Sequence, residues 1–434
     1  MNAMPRCSLV SVSRSLRPLL RQAGRLLPRL AGSLAAVALL SGAAAVPAQQ
    51  LDDAAASQLK PQKRVVGYFT QWGTYSDFNV NNLVTSGSAG VLTQIDYAFA
   101  GLQNGRCVSL DPYADYQKAL PANMTVDGVA DSGAPGVLAG NFHQLLELKK
   151  RYPKLKVVMS VGGGSANPND FSVAAEPANR KLFVKSCMDL FIKGELAAGL
   201  TAPGIFDGFD VDWEYPLSAT DTVNFTGLLA EFRKQMDEAR PGMTLSIASS
   251  AGSWAYQYID FQAVQRSIDF FGLMAYDFDG PWENTTGLVA PSARAKGDPD
   301  QSNNALSAVA GYLAGGVRPE KIVLGLPFYG YEWTGVPDVD HGLWQAGIPG
   351  SSAGYNQIVP LAKKSQGYRD QITLAPWLYD GTTFWTYDDA ESLGYKARLA
   401  ERLKLGGAMA WDLSGDTEDG LLIKTVATGL NSGR

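Results

Sequence analysis

IFDGFDVDWEYP (residues 205–216) sets four carboxylates, Asp207, Asp210, Asp212 and Glu214, into a run that is otherwise apolar, aromatic, glycine or proline. Its β-branched and aromatic content reads as a strand. Side chains on a strand alternate, so Asp210, Asp212 and Glu214 share one side, with successive Cα atoms of the row about 7 Å apart. Like charges that close do not all ionise cheaply. The row is expected to share protons and to hold at least one carboxyl above its ordinary range. A carboxyl that keeps its proton near neutrality is what a general acid requires. A row of acids that merely faces water fits poorly between apolar and tryptophan flanks.

Seven further apolar runs lie on either side, at residues 64–70, 91–100, 156–163, 243–250, 268–277, 321–330 and 406–414. They are near-continuous, as strands covered on both faces should be. Helical patterns at 142–151, 179–196, 222–240, 259–266, 303–313, 390–405 and 417–430 fill most of the intervals. Eight such strands, nearly all followed by a helix, predict an α/β fold, a (β/α)8 TIM barrel over residues 63–434. Strand C-termini of that fold open onto the active site, which makes Glu214, the last of the row, the candidate acid. The interval between the seventh and eighth runs is too long for one helix. It contains the strand-like ITLAPWLYD and TTFWTYDD, so residues 331–388 are expected to form a small α+β insertion subdomain.

Only two histidines, His143 and His341, occur in 434 residues, and both read as structural. A three-histidine zinc site is thereby excluded, and no His-Glu-x-x-His run exists. A Ser-His-Asp triad would depend on one of the two. Carboxylates remain as the source of acid and base, and no metal or cofactor is called for. Gly350-Ser-Ser-Ala-Gly354 spells a nucleophile elbow without a strand leading into it, and is expected to be a loop.

Residues 1–48 hold six arginines, no lysine and no acid, and end in an apolar, alanine-rich run over 31–46. That pattern reads as a signal peptide, followed by a short linker over 49–62. The protein is expected to be secreted, to the extracellular space or the periplasm, with no membrane contact after the signal is removed. Beyond residue 48 the chain carries 31 basic against 42 acidic residues, a net charge of −11. Such a body argues against nucleic acid as a partner and suits a neutral ligand. A monomer is expected. Cys7 leaves with the signal, and Cys107 and Cys187 either pair or stay as separate buried thiols.

The acidic run resembles the D-x-x-D-x-D-x-E motif of family 18 glycoside hydrolases, the chitinases, which fold as (β/α)8 barrels. Tyr97-Ala-Phe99, Ser160-Val-Gly-Gly163, Met274-Ala-Tyr276-Asp277 and Gly407-Ala-Met-Ala-Trp411 match further family positions in order. Residues 331–388 look like the chitinase insertion domain. The resemblance implies hydrolysis of β-1,4 bonds in chitin or chitooligosaccharides with retention, the substrate's own N-acetyl group replacing an enzyme nucleophile. By the same resemblance Glu214 would donate the proton and Asp212 would hold the N-acetyl group. Asp210 would share a proton with Asp212, Tyr276 would position the acetamide, and Trp411 would floor the reacting sugar. Tyr68, Phe99, Met274 and Asp277 match other lining positions. Trp254, Trp282 and Trp333 are candidates for stacking on further sugars.

Two departures stand out: Gly164 where many relatives carry tryptophan, and Tyr331 where many carry arginine. Endo-β-N-acetylglucosaminidases acting on N-glycans share the acidic motif and remain an alternative. A non-catalytic chitin-binding lectin on the same barrel is the other, and the presence of Glu214 argues against it.

Overall fold

Eight parallel strands close on themselves in the computed structural model, which describes residues 63–432. They are β1 (Arg64–Thr70), β2 (Gln94–Gln103), β3 (Lys156–Gly162), β4 (Gly208–Asp212), β5 (Thr244–Ser250), β6 (Phe270–Met274), β7 (Ile322–Pro327) and β8 (Gly407–Trp411). Closure comes from β1, which pairs with β2 on one side and β8 on the other. Helices Val80–Thr85, Gly140–Arg151, Arg180–Cys187, Ala219–Ala239, Phe261–Ser267, Ala305–Ala314, Ala390–Arg402 and Leu421–Leu430 follow the strands in turn. The fold is thus the expected TIM barrel. The expected signal peptide and linker, residues 1–62, lie outside the described residues.

Alternation along each strand sorts the side chains into two cores. Val65, Phe69, Ile95, Tyr97, Phe209 and Val211 enter the layer between strands and helices. Val66, Tyr68, Phe270, Val323 and Met409 fill the barrel interior. On β4 the rule puts Phe209, Val211 and Trp213 outward and leaves Asp210 and Asp212 pointing in. Trp213, 2% exposed, stacks on Phe171 at 5.5 Å and meets Phe225 edge-on at 5.4 Å. Burying a large apolar side chain contributes about 1.5–3 kcal/mol. The outward row thereby fixes the register that aims the acids inward.

The 179–196 pattern predicts one helix, and the structure divides it. Arg180–Cys187 runs into a π-turn, Met188–Ile192, and then a hairpin of Glu195–Ala197 with Leu200–Thr201. Gly194, at φ +71°, ends the helical run, since a left-handed backbone stops a helix, and Gly199, at φ +79°, turns the hairpin beyond it. Cys187 at the helix end is disulfide-bonded to Cys107, across 80 residues of sequence. Cys107 lies on Arg106–Ser109, a short strand that extends β2 as a hairpin. That settles the open question of the two thiols.

The insertion after β7 is a five-stranded antiparallel sheet: Tyr329–Thr334, Ile348–Gly354, Gln366–Arg369, Pro376–Tyr379 and Phe384–Tyr387. It has its own core, including Trp333, Val336, Trp377 and Phe384. Gly350–Gly354 is a strand there, not the expected loop. Small side chains give no alternation to read, but backbone pairing needs none, and the Ser351 hydroxyl donates to Glu332 at 3.1 Å. Among the described residues no helix is long and apolar enough to cross a membrane.

Candidate active site

Asp210 sits at the bottom of the barrel mouth, 1% exposed. Its neighbours in register are Ser160 on β3 and Ser246 on β5. Both hydroxyls donate to its carboxylate at 2.8 Å, and the Tyr68 hydroxyl donates at 2.9 Å. Burial pushes the Asp210 carboxyl above its usual range, and the three donors pull it back.

Asp212, one step up the row and 4% exposed, has no such shell. Its Oδ1 is buried without any hydrogen-bond partner. Burial, then the charges of Glu214, Asp210 and Asp96, drive its carboxyl well above the ordinary value. Glu214 lies past the end of β4, half-buried at the groove. Burial raises it too, with Asp277 adding and a hydrogen bond from Tyr215 opposing. The three acids of the row thus lie in sequence from the barrel interior to the groove, with Glu214 nearest the mouth.

A groove of 710 Å³ opens above the row. Asp212, Glu214, Tyr276 and Met274 line it, as do Tyr68, Phe99, Asp277 and Trp411. Of the nine residues expected to act on or line the reacting sugar only Asp210 stays behind the surface. Trp411 and Phe99 stack at 5.5 Å, and Tyr68 meets Trp411 edge-on at 5.2 Å, giving the groove an aromatic floor. Gly163, at φ +90°, is obligatory beneath it: an added Cβ would stand 2.5 Å from the Phe99 ring. Gly164 faces Glu214, where a Cβ would come within 3.2 Å of Oε1.

Asp277, open to the groove, accepts from the hydroxyls of Tyr329 and Tyr331 at 2.5 and 2.9 Å. Tyr331, the departure at an arginine position, therefore serves as a neutral donor. Trp254 and Trp282 stand exposed at the groove, at 58% and 55%. Trp333 does not join them. It is fully buried in the insertion, donating to the Glu283 carbonyl at 2.9 Å, because its strand pairs on both sides. Both histidines are structural: His143 Nδ1 contacts Asp131 at 2.6 Å, and His341 stacks on Tyr368 at 4.1 Å.

Sequence reasoning missed Asp96, 1% exposed on β2 and bonded to Gln94 at 2.6 Å. Burial, then Asp210, raises its carboxyl well above the ordinary value. It also missed Trp72, 47% exposed and 6.2 Å from Phe99. The alternation Ile95–Tyr97 outward was the available signal for Asp96. Among the described residues no group of three or more His, Cys, Asp or Glu is placed to hold a metal ion.

A barrel whose fourth strand aims a row of carboxyls, each held above its ordinary range, into an aromatic-floored groove has the architecture of a glycosidase. The chain belongs to glycosyl hydrolases family 18, which it matches over residues 64–416. It is 35% identical over 366 residues to Chitinase C of Streptomyces lividans, covering 82% of this chain and 58% of that one. Chitinase A1 of Niallia circulans is 32% identical, with 88% and 60% covered. The chain thus spans less than two thirds of these relatives' own length. Among solved structures, the catalytic domain of psychrophilic chitinase B from Arthrobacter TAD20 superposes with a TM-score of 0.79 at 34% identity, over 85% of this chain and 95% of that one. A class V chitinase variant from Nicotiana tobaccum, solved with NAG4, gives 0.69 at 26%, over 85% and 99%.

Proposed function

We propose that the protein is a chitinase that hydrolyses β-1,4 bonds between N-acetylglucosamine units with retention of configuration. One observation carries this: Asp212 Oδ1, buried at the groove and lacking a donor. An orphaned acceptor of that kind costs about 1–3 kcal/mol, which a ligand N–H would recover. The acetamide N–H of the substrate is such a donor. Its capture turns the acetamide oxygen onto the anomeric carbon.

Glu214 then gives its proton to the glycosidic oxygen as that bond breaks and the acetamide oxygen bonds to the same carbon. Water, deprotonated by Glu214, opens the cyclic intermediate from the face first occupied by the leaving sugar. Asp210 holds the proton balance of Asp212 through its three hydroxyl donors. Tyr276 orients the acetamide, and Trp411 with Tyr68 and Phe99 receives the sugar's apolar face. Met274 and Asp277 complete the wall. Neighbouring acids on one strand suit this substrate-assisted route better than two carboxyls facing each other across a sugar. We read residues 1–48 as an export signal, and the disulfide supports an oxidising destination.

Glu214→Gln is expected to lower kcat on N-acetylchitohexaose about 10²–10⁴-fold while the fold persists. Full turnover by that variant would overturn the mechanism. Cleavage of N-glycoprotein but not of the hexaose would select the endo-β-N-acetylglucosaminidase alternative.

A further inference from the structure

We propose that the Trp282 end of the groove binds a glucosamine unit bearing a free ammonium group, so that partly deacetylated chitin is the preferred substrate. This deepens the glycosidase reading and rests on it. Five carboxylates line the groove, from Asp212, Glu214, Asp277, Glu283 and Asp300, and not one lysine, arginine or histidine does. The adjoining hollow of 420 Å³, which shares Asp277 and Trp411, adds Asp412 and again no basic residue. The unpartnered, buried Asp212 Oδ1 on the same groove independently points to a ligand there.

An uncharged chain has no use for so one-sided a lining. Asp212 and Glu214 are accounted for by the reaction, and Asp277 by its two tyrosines. Glu283 and Asp300 are exposed beside Trp282 and take no part in the reaction, although Asp300 also accepts from the Ser302 N–H and hydroxyl at 2.9 and 2.6 Å. Behind them Asp279 and Asp298 are buried, at 6% and 7% exposure, and after burial itself the charges of Glu283 and Asp300 help to push both carboxyls up. No basic side chain forms a salt bridge with any of these four among the described residues. Concentrated negative charge beside a low-dielectric wall attracts a cation and repels an anion. Trp282, exposed next to it, offers a face for a pyranose ring and attracts a cation in its own right. A ligand with both a pyranose face and a positive charge is an amino sugar with its acetyl group removed. The reacting sugar must keep its acetyl group for Asp212, so the chain is partly and not fully deacetylated.

The test compares kcat/KM on N-acetylchitohexaose and on partly deacetylated hexamers of the same length, at about pH 5.5, where a primary amine is charged. At low ionic strength the deacetylated hexamers are expected to lead about three- to tenfold, and the lead should collapse towards one in strong salt. In the double variant Glu283→Gln, Asp300→Asn the ratio should fall near one at every salt. Product sequencing should place glucosamine at a fixed distance from the cut, on one side. A ratio of one in the parent protein, or a lead indifferent to salt, would overturn the proposal. So would a lead abolished by a chelator, which would assign the carboxylates to a metal ion. Failure to cleave either hexamer would sink the glycosidase reading as well, whereas a ratio of one with both cleaved sinks only this one.

Discussion

Asp212 and Asp388 are almost equally removed from water, at 4% and 1% exposure, and the chain treats them in opposite ways. Asp388 closes the insertion onto the barrel. It accepts from Lys396 Nζ, itself 1% exposed, and from the Ser392 hydroxyl at 2.7 Å. Lys396 donates to the Ala290 carbonyl as well, so the ammonium clamps the first turns of Ala390–Arg402 against the loop after β6. Burial opposes both charges, and each partner offsets the cost for the other. Asp212 faces like charges instead: Glu214, Asp210 and Asp96 all raise its carboxyl. A buried acid that fastens the fold is given a cation. The one that lines the groove is denied it, and the energy left unrecovered is available to a ligand.

The sharpest way to break this contrast is Lys396→Met. It leaves Asp388 buried with hydroxyl help only, and is expected to cost about 3–5 kcal/mol of stability. Denaturant unfolding measures it, and activity per folded molecule should be retained. A loss under about 1 kcal/mol would mean that the pair does not hold the junction. Asp212→Asn probes the other side. It should lower kcat by about 10²-fold or more, yet stabilise the protein by about 1–2 kcal/mol at neutral pH. The sign follows from linkage. A carboxyl raised by folding contributes stability that is present below its ordinary 3.8 and lost as pH rises through the folded value. The gain from asparagine should therefore vanish below about pH 4. Destabilisation at neutral pH would show that Asp212 is held as comfortably as Asp388.

How far the two sites were legible in the sequence follows from the same contrast. Asp210, Asp212 and Glu214 stood out because charge at a period of two is abnormal in a strand whose other face is Phe209, Val211 and Trp213. The barrel was legible for the same reason, its eight runs being too apolar for anything but strands covered on both faces. Asp96 escaped because a single acid in a strand is unremarkable until its neighbours across the barrel are known. Lys396 escaped because a lysine in AESLGYKARLAER looks solvated. Its place on the Leu393, Ala397, Ala400 face is the only hint. Gly194 broke a helix whose apolar spacing looked continuous. Trp333 was misplaced because exposure of an aromatic on the insertion depends on which strands pair beside it.

Asp279 lies between the two extremes and makes the smallest test. It is 6% exposed and accepts from the Leu288 N–H at 3.0 Å, but has no cation. Burial first, then Asp298, pushes its carboxyl up to about 7, with Glu283 and Asp300 adding. Its folded value exceeds the ordinary 3.8, so the stability it contributes is complete below 3.8 and drains away as pH rises through about 7. Asp279→Asn keeps an acceptor for Leu288 and removes the titration. The parent and variant should melt together near pH 3 and diverge as pH rises from 3.8 through about 7, the variant leading by about 1 kcal/mol or more at pH 8. Its activity on N-acetylchitohexaose should be unchanged. If the variant instead loses stability across the whole range, the ionised carboxylate is favoured at that position after all. A buried acid without a cation would then not require a catalytic role to explain it, and the contrast between Asp212 and Asp388 would lose its generality.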